Sequence, residues 1–373
     1  MRATVAQCGS ALVALMCAFV VSGAAQGPAA VSIPLWDAQL YLMDEAQVPK
    51  QQRLGAFKSG IVFENDTIIL AYSVIRNANP TLSRRDSRWS SDPYLLKIVF
   101  YDAKTGKVIG GGELPTVPRQ TDVFATHAGN LLFRTGNLIG VYDSALRQLA
   151  SKELDTSKEY EHFYLSISPD GRVVWVRHNS GYASSFQALD ADSLAEKAGC
   201  SRNQLDHSFS GSDTWITVPT FPDENRLLLS DCRGKWKLLF AATGVANASG
   251  PVFVSNDTIL ISSEHKFLLL RTDGSTSLLD DQPSSMSAES KIAVARSSSK
   301  AAVSLAHFSG GVFDGQLRRK KTNIVVYNVQ TRNALSSLRI VPDPQFAYDF
   351  ALSPDGSMLA VMTDSHLRVY RLP

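Results

Sequence analysis

The apolar positions of this chain fall in short runs separated by polar turn residues, and the clearest example occurs twice. Leu165-Ser-Ile-Ser-Pro-Asp-Gly-Arg-Val-Val-Trp-Val176 returns as Phe350-Ala-Leu-Ser-Pro-Asp-Gly-Ser-Met-Leu-Ala-Val361. Each copy predicts a strand, a reversal and a second strand. Proline fixes φ at the second turn position, aspartate bonds the backbone ahead of it, and glycine takes the positive φ that a reversal often needs. The two hairpins lie 185 residues apart, Ser168 to Ser353, roughly four times the 40 to 45 residues of a four-stranded repeat unit.

The same alternation divides most of the chain into such units. The first would hold strands at 60–63, 66–74, 94–101 and 107–114, the second at 121–127, 130–135, 138–143 and 147–154. The third takes 162–168, 172–178, 183–190 and 194–200; the fourth, 208–242, is the least regular. The fifth uses 251–255, 257–261, 267–270 and 275–279, the sixth 291–296, 301–306, 323–327 and 334–340. The last has only three strands, at 346–352, 357–362 and 367–370. A bare outer edge there would leave a row of backbone donors and acceptors unpaired. The extended segment 31–42, which has no hairpin partner nearby, is expected to fill it. The reading is an all-β, seven-bladed β-propeller of four-stranded antiparallel blades, a single domain over 26–373, with its last blade closed by an N-terminal strand at about 31–42.

A strand ending Tyr101-Asp, followed by Ala-Lys-Thr-Gly-Lys107 and another strand, resembles the outer hairpin of bacterial WD40-like and YVTN-type propellers. Related turns recur as Leu189-Asp-Ala-Asp-Ser-Leu194, Leu270-Arg-Thr-Asp-Gly274 and Tyr327-Asn-Val-Gln-Thr-Arg-Asn333. Ser-Pro-Asp-Gly is similar to the inner hairpin turn of WD40-like and TolB-like propellers. The Gly-His and Trp-Asp dipeptides of strict WD40 repeats do not recur at blade positions. The resemblance implies fold across nearly the whole chain, and it spans families that include both binding scaffolds and enzymes.

Composition narrows the functional classes. With 44% apolar and 19% charged residues the chain reads as globular. Thirty-seven basic residues against 35 acidic give a net charge of +2, too little for a general attraction to nucleic acid. Arg2, the apolar run 11–21 and the small residues Ser22-Gly-Ala-Ala25 have the order of a secretory signal cleaved near Ala24 or Ala25. A secreted or periplasmic monomer follows, with no membrane segment after cleavage. Cys200 and Cys232 would then remain, the first ending an outer strand at one face and the second in a turn at the other, which argues against a bridge.

Two connections between second and third strands are long and basic. Residues 75–93 hold four Arg against two Asp, and 308–321 hold two Arg and two Lys against one Asp. In the expected ring they flank the short-looped last blade on one face. Arg84, Arg85, Arg88, Arg318, Arg319, Lys320 and Lys321 are therefore the candidate contacts to an anionic partner, with Trp89 and Phe313 as apolar anchors. Arginine suits this because its planar fork donates paired hydrogen bonds to carboxylate or phosphate. The partner would be a protein, peptide or anionic glycan.

No metal-ligand spacing, nucleophile elbow or phosphate-cradling glycine loop is present. His162 near Glu159 and Glu161, and Asp206-His207, lie near inner-strand starts and read as rim polar groups. Asp190-Ala-Asp192 reads as a turn rather than a calcium loop. No cofactor, catalytic residue or metal ligand is assigned. The expected function is an exported, non-catalytic binding scaffold; the alternative is a lactonase-like hydrolase or lyase with its site in the central channel.

Overall fold

A computed structural model describes residues 29–30, 33–40, 59–76, 94–117, 121–154, 162–180, 183–197, 202–204, 207–210, 214–218, 226–231, 236–241, 248–263, 266–281, 287–309, 318–341, 348–363 and 366–373. Two strands, β1 (Ala29–Ala30) and β2 (Trp36–Gln39), precede the repeated units. The first unit is β3 (Ser59–Phe63), β4 (Ile68–Arg76), β5 (Tyr94–Asp102) and β6 (Val108–Pro115). The second is β7 (Thr121–Ala125), β8 (Leu131–Thr135), β9 (Leu138–Tyr142) and β10 (Gln148–Glu153). Next come β11 (His162–Ile167), β12 (Val173–Ser180), β13 (Ala183–Asp190) and β14 (Arg202–Gln204), then β15 (His207–Ser210), β16 (Thr214–Val218), β17 (Arg226–Asp231) and β18 (Trp236–Ala241). The fifth unit is β19 (Ala248–Phe253), β20 (Thr258–Ser263), β21 (Lys266–Arg271) and β22 (Thr276–Asp281). The sixth is β23 (Ser287–Val294), β24 (Lys300–Ser309), β25 (Arg318–Asn328) and β26 (Asn333–Arg339), and β27 (Asp349–Leu352), β28 (Met358–Met362) and β29 (His366–Arg371) end the chain.

Within each unit consecutive strands pair antiparallel, so each unit is a blade. Six sheets have four strands, among them β2-β29-β28-β27, in which Trp36–Gln39 pairs antiparallel with residues 366–369. A further sheet has five, because Ala29–Ala30 lies parallel against Ser336 and Ser337 of β26. The expectation of seven uniform four-stranded blades is corrected to that extent. Of the segment expected to close the blade, residues 33–40 are described; strand pairing among them runs from Trp36 to Gln39, and Leu35 N also donates to Val369 O.

Among the described residues, apolar side chains pack five seams between adjacent sheets. Ile61, Ile69 and Tyr101 pack with Met358, Leu367 and Val369, joining the first unit to the last. Ile324 and Leu338 pack with Phe350 and Tyr370, joining the sixth to the last. The last sheet therefore stands between the first and sixth units, as the ring order requires.

The repeated motifs form repeated turns. In the first Ser-Pro-Asp-Gly hairpin Ser168 Oγ donates to Asp170 Oδ1 at 2.6 Å and accepts from Val173 N at 3.0 Å. In the second, Ser353 Oγ donates to Asp355 Oδ1 at 2.6 Å and accepts from Met358 N at 2.9 Å. Both glycines, Gly171 and Gly356, have φ of +71°. At the outer turns, Asp102 Oδ1 accepts from Thr105 N at 2.7 Å and Asp190 Oδ1 from Ser193 N at 2.9 Å. The Asp190-Ala-Asp192 stretch is thus a turn. The outer strand expected at 194–200 pairs in part: Glu196 bridges Leu189 and Lys197 N donates to Ala188 O, while 198–201 lie outside the described residues and the ladder is recorded again at 202–204, with Phe186 opposite Arg202.

Candidate site in the central channel

The inner strands enclose a cavity of about 480 Å³. Its wall is built from residues 61–63, 123–125, 166–169, 251–253, 291–294 and 349–352. Because side chains alternate along a strand, inner-strand residues that do not enter the blade interfaces face the axis. The lining is largely apolar, with Lys291, Arg296 and Asp349 as its charged members among the described residues.

Arg296 follows β23 and crosses to two distant units. Nη2 donates to Phe63 O at 3.1 Å and Glu64 O at 2.8 Å; Nη1 donates to Ala125 O at 3.2 Å and also to Thr126 O. These carbonyls belong to the last residues of β3 and β7 and to the residues just after them, so the guanidinium spans one end of the channel on the face of the inner hairpin turns. Burial holds its pKa below the usual arginine value, while Asp66, Asp192 and Glu64 support its charge. Glu64 is 4% exposed, and its carboxyl is pushed up to about 7. Loss of water is the largest cause; Asp143 adds to it and Arg296 opposes it.

Asp349 begins β27, nearer the opposite face. Its Oδ2 accepts from Ile61 N at 2.8 Å, and its Oδ1 accepts from Phe350 N at 3.0 Å and from the Lys291 ammonium. Gly60 is needed beside it: a Cβ there would lie 2.5 Å from Tyr72 Oη and 2.7 Å from Asp349 Oδ2. Burial raises the Tyr72 phenol well above its ordinary range, with Asp122 adding to the effect. A carboxylate engaged by two amides and an ammonium is an acceptor already in use.

The basic residues selected from the sequence fare differently. Arg84, Arg85, Arg88, Trp89 and Phe313 lie outside the described residues, as do Cys200, Cys232, Glu159, Glu161, Asp206 and the signal sequence. Arg318, Arg319, Lys320 and Lys321 belong to β25 rather than to a loop, which corrects their placement. The β24–β25 hairpin simply continues, with Ser309 opposite Arg318, Phe308 opposite Arg319 and His307 opposite Lys321, leaving Lys320 at an irregularity. His162 and His207 open β11 and β15, at inner-strand starts. Among the described residues no group of three His, Cys, Asp or Glu is placed to hold a metal ion, and no helix is long and apolar enough to cross a membrane.

No family model and no curated protein matches the sequence. Solved structures do match in shape. The Neurospora crassa Pan2 WD40 domain aligns over 93% of this chain and 98% of its own, with a TM-score of 0.54 and 11% identity. The fold is that of a WD40-like β-propeller. This propeller is also similar to a chain of a mitotic checkpoint complex, with a TM-score of 0.51, 14% identity and 93% and 98% of the two chains covered. Virginiamycin B lyase from Staphylococcus aureus gives 0.50 at 14% identity, over 90% of this chain and 99% of that one. At such identities the likeness concerns the fold alone.

Arg296 was missed from the sequence. It sits in Ala295-Arg-Ser-Ser298 without a motif, and its partners lie 170 to 233 residues away.

Proposed function

We propose that this chain is an exported, non-catalytic propeller that binds an anionic protein, peptide or surface glycan on the face where the β4–β5 and β24–β25 connections emerge. The five-stranded sheet completes a ring of seven blades in this reading. The observation that carries it is the β24–β25 hairpin, whose strands of 10 and 11 residues begin their return with four consecutive basic residues, Arg318 to Lys321. The packing of the last sheet between the first and sixth units supports a shared face for this hairpin and the arginine-rich segment 77–93. A fold neighbour that belongs to a complex supports a binding role only by analogy.

Replacing Arg318, Arg319, Lys320 and Lys321 together by Gln tests the reading. Retention of the full chain on immobilised dextran sulfate or poly-glutamate is measured as salt is raised. The native protein should need more salt for elution than the variant, since exposed charge pairing is screened over about 10 Å at 0.1 M salt. Equal elution would remove the basis for the proposal. N-terminal sequencing of protein recovered outside the cytoplasm tests export, with a start after Ala24 or Ala25 expected.

A further inference from the structure

We propose that the central channel is a binding site for a neutral carbonyl compound with an apolar body, its oxygen accepting a hydrogen bond from the Tyr72 hydroxyl. The inference stands apart from the basic hairpin, since Tyr72 is on β4 and lines the channel.

The cavity's 480 Å³ lies within the range of small-molecule sites, roughly 300 to 1,000 Å³. Tyr72 is a second-strand residue and belongs to the apolar seam between the first two units, with Phe100 and Phe133. It stands directly opposite Gly60 of the inner strand, and a Cβ there would lie 2.5 Å from Tyr72 Oη, so the missing side chain is what lets the phenol reach the channel wall. The phenol is 5% exposed, and its hydroxyl has no hydrogen-bond partner among the described residues. A buried tyrosine hydroxyl ordinarily finds one. The other polar side chains of the described lining are engaged. Arg296 holds four backbone carbonyls, and Asp349 is held by the amides of Ile61 and Phe350 and by Lys291. Ser168 bonds within its own hairpin, and Ser166 and Lys291 have further contacts. Burial, with Asp122 adding to it, raises the Tyr72 phenol, so it keeps its proton and offers it as a donor. The ligand must therefore bring the acceptor. Walls such as Ile61, Val123, Val252 and Phe253 suit an apolar body. A charged head of either sign would give up its water and find no uncommitted counter-charge among the described residues, a cost that a neutral carbonyl avoids. The hydroxyl lies beside Asp349, away from Arg296, so the ligand enters from the face opposite the inner hairpin turns.

The test is isothermal titration of the full chain with acetophenone, ethylbenzene and benzoate, which share one aromatic ring and differ in the group it carries. Acetophenone should bind saturably, one per chain, and about three- to tenfold more tightly than ethylbenzene, the worth of one net hydrogen bond, with benzoate weakest. Tyr72→Phe keeps the ring and removes only the hydroxyl, so it should bind acetophenone no better than ethylbenzene. Its urea midpoint should be no lower than the native one, since no bond within the protein is lost. A second measurement needs no variant: in infrared difference spectra, the carbonyl stretch of isotope-labelled acetophenone bound to the native chain should lie below its position in hexane, as a hydrogen bond requires. Absence of saturable acetophenone binding to the native chain, benzoate binding as tightly as acetophenone, or a preference that survives Tyr72→Phe would each overturn the proposal. So would an unshifted stretch, or a lower midpoint for Tyr72→Phe, which would show that the hydroxyl already has a partner.

Discussion

The indole nitrogen of Trp36 donates to the carbonyl oxygen of Ala103 at 2.8 Å, tying the strand that closes the last sheet to the outer hairpin of the first unit. The Trp36 ring stacks on Tyr101, with centroids 6.1 Å apart, and covers Gly106, where a Cβ would lie 2.7 Å from the ring. On the other side of the same strand Asp37 accepts from Arg368 Nε at 2.9 Å. Burial pushes the Asp37 carboxyl up, but hydrogen bonds from Arg368 and His366 outweigh it and hold the group below its usual range.

Trp36→Ala should therefore destabilise the ring by about 2–4 kcal/mol, the cost of deleting a large, partly buried side chain. Gly106→Ala combines the steric conflict with a φ of +71° and should cost at least about 1 kcal/mol. Urea unfolding checks both. A Trp36→Ala midpoint equal to that of the native protein would mean that this seam does not hold the ring closed.

Glu64 should impose a pH dependence of definite sign. Its folded-state pKa of about 7 exceeds its ordinary value of 4.5, so the native state holds the proton longer than the unfolded chain. The group's stabilisation is complete below about pH 4.5 and is lost as pH rises through 7. Glu64→Gln should match the native protein near pH 5 and exceed it at pH 8 by about 1–3 kcal/mol. Other carboxylates act in the opposite direction, Asp37 among them, so the readout is the difference between variant and native unfolding free energies at the two pH values. A constant difference would remove Glu64 as the cause.

Arg296→Met would leave the carbonyls of Phe63, Glu64, Ala125 and Thr126 without the donors they now share, at a cost of about 3–5 kcal/mol. Arg296→Lys should recover only part, because one ammonium cannot offer two forks to two blades. The Glu64 carboxyl would also rise further once the opposing cation is gone, moving the pH dependence to higher pH. Chemical unfolding across pH reads both effects.

Arg332 occupies a left-handed position, φ +60°, in an outer turn where the first unit uses Gly106 at +71°. It is exposed, so little contact is lost on replacement. Arg332→Gly should raise stability by about 0.5–1 kcal/mol, seen as a higher Tm.

The blades were legible because turn chemistry is local. Ser-Pro-Asp-Gly and Asp-x-x-Thr-Gly specify reversals from adjacent residues, and the apolar runs between them match β11–β12 and β27–β28 closely. The partner of the extended segment 31–42 was also readable, since one sheet lacked an edge. Its length was not: the register runs from Trp36, opposite Val369, to Gln39, opposite His366, the first residue of β29, and no apolar pattern announces where that partner strand begins. The pairing of β1 with β26 had no sequence signal, since two alanines carry no preference for an edge. The channel residues were hidden for a related reason. Lys291, Arg296 and Asp349 acquire their roles from contacts 58 to 288 positions away, and no spacing rule reaches that far.

The pairing of β2 with β29 also sets a timetable. Asp37 and Arg368 are 331 residues apart, so a ribosome adding about 5–20 residues per second completes the partner some 15–70 seconds after the first strand appears. For that interval β2 waits as a solitary ribbon and the nascent wheel stays open. Chains released early, short of His366 to Arg371, would carry that ribbon uncovered and offer it to one another.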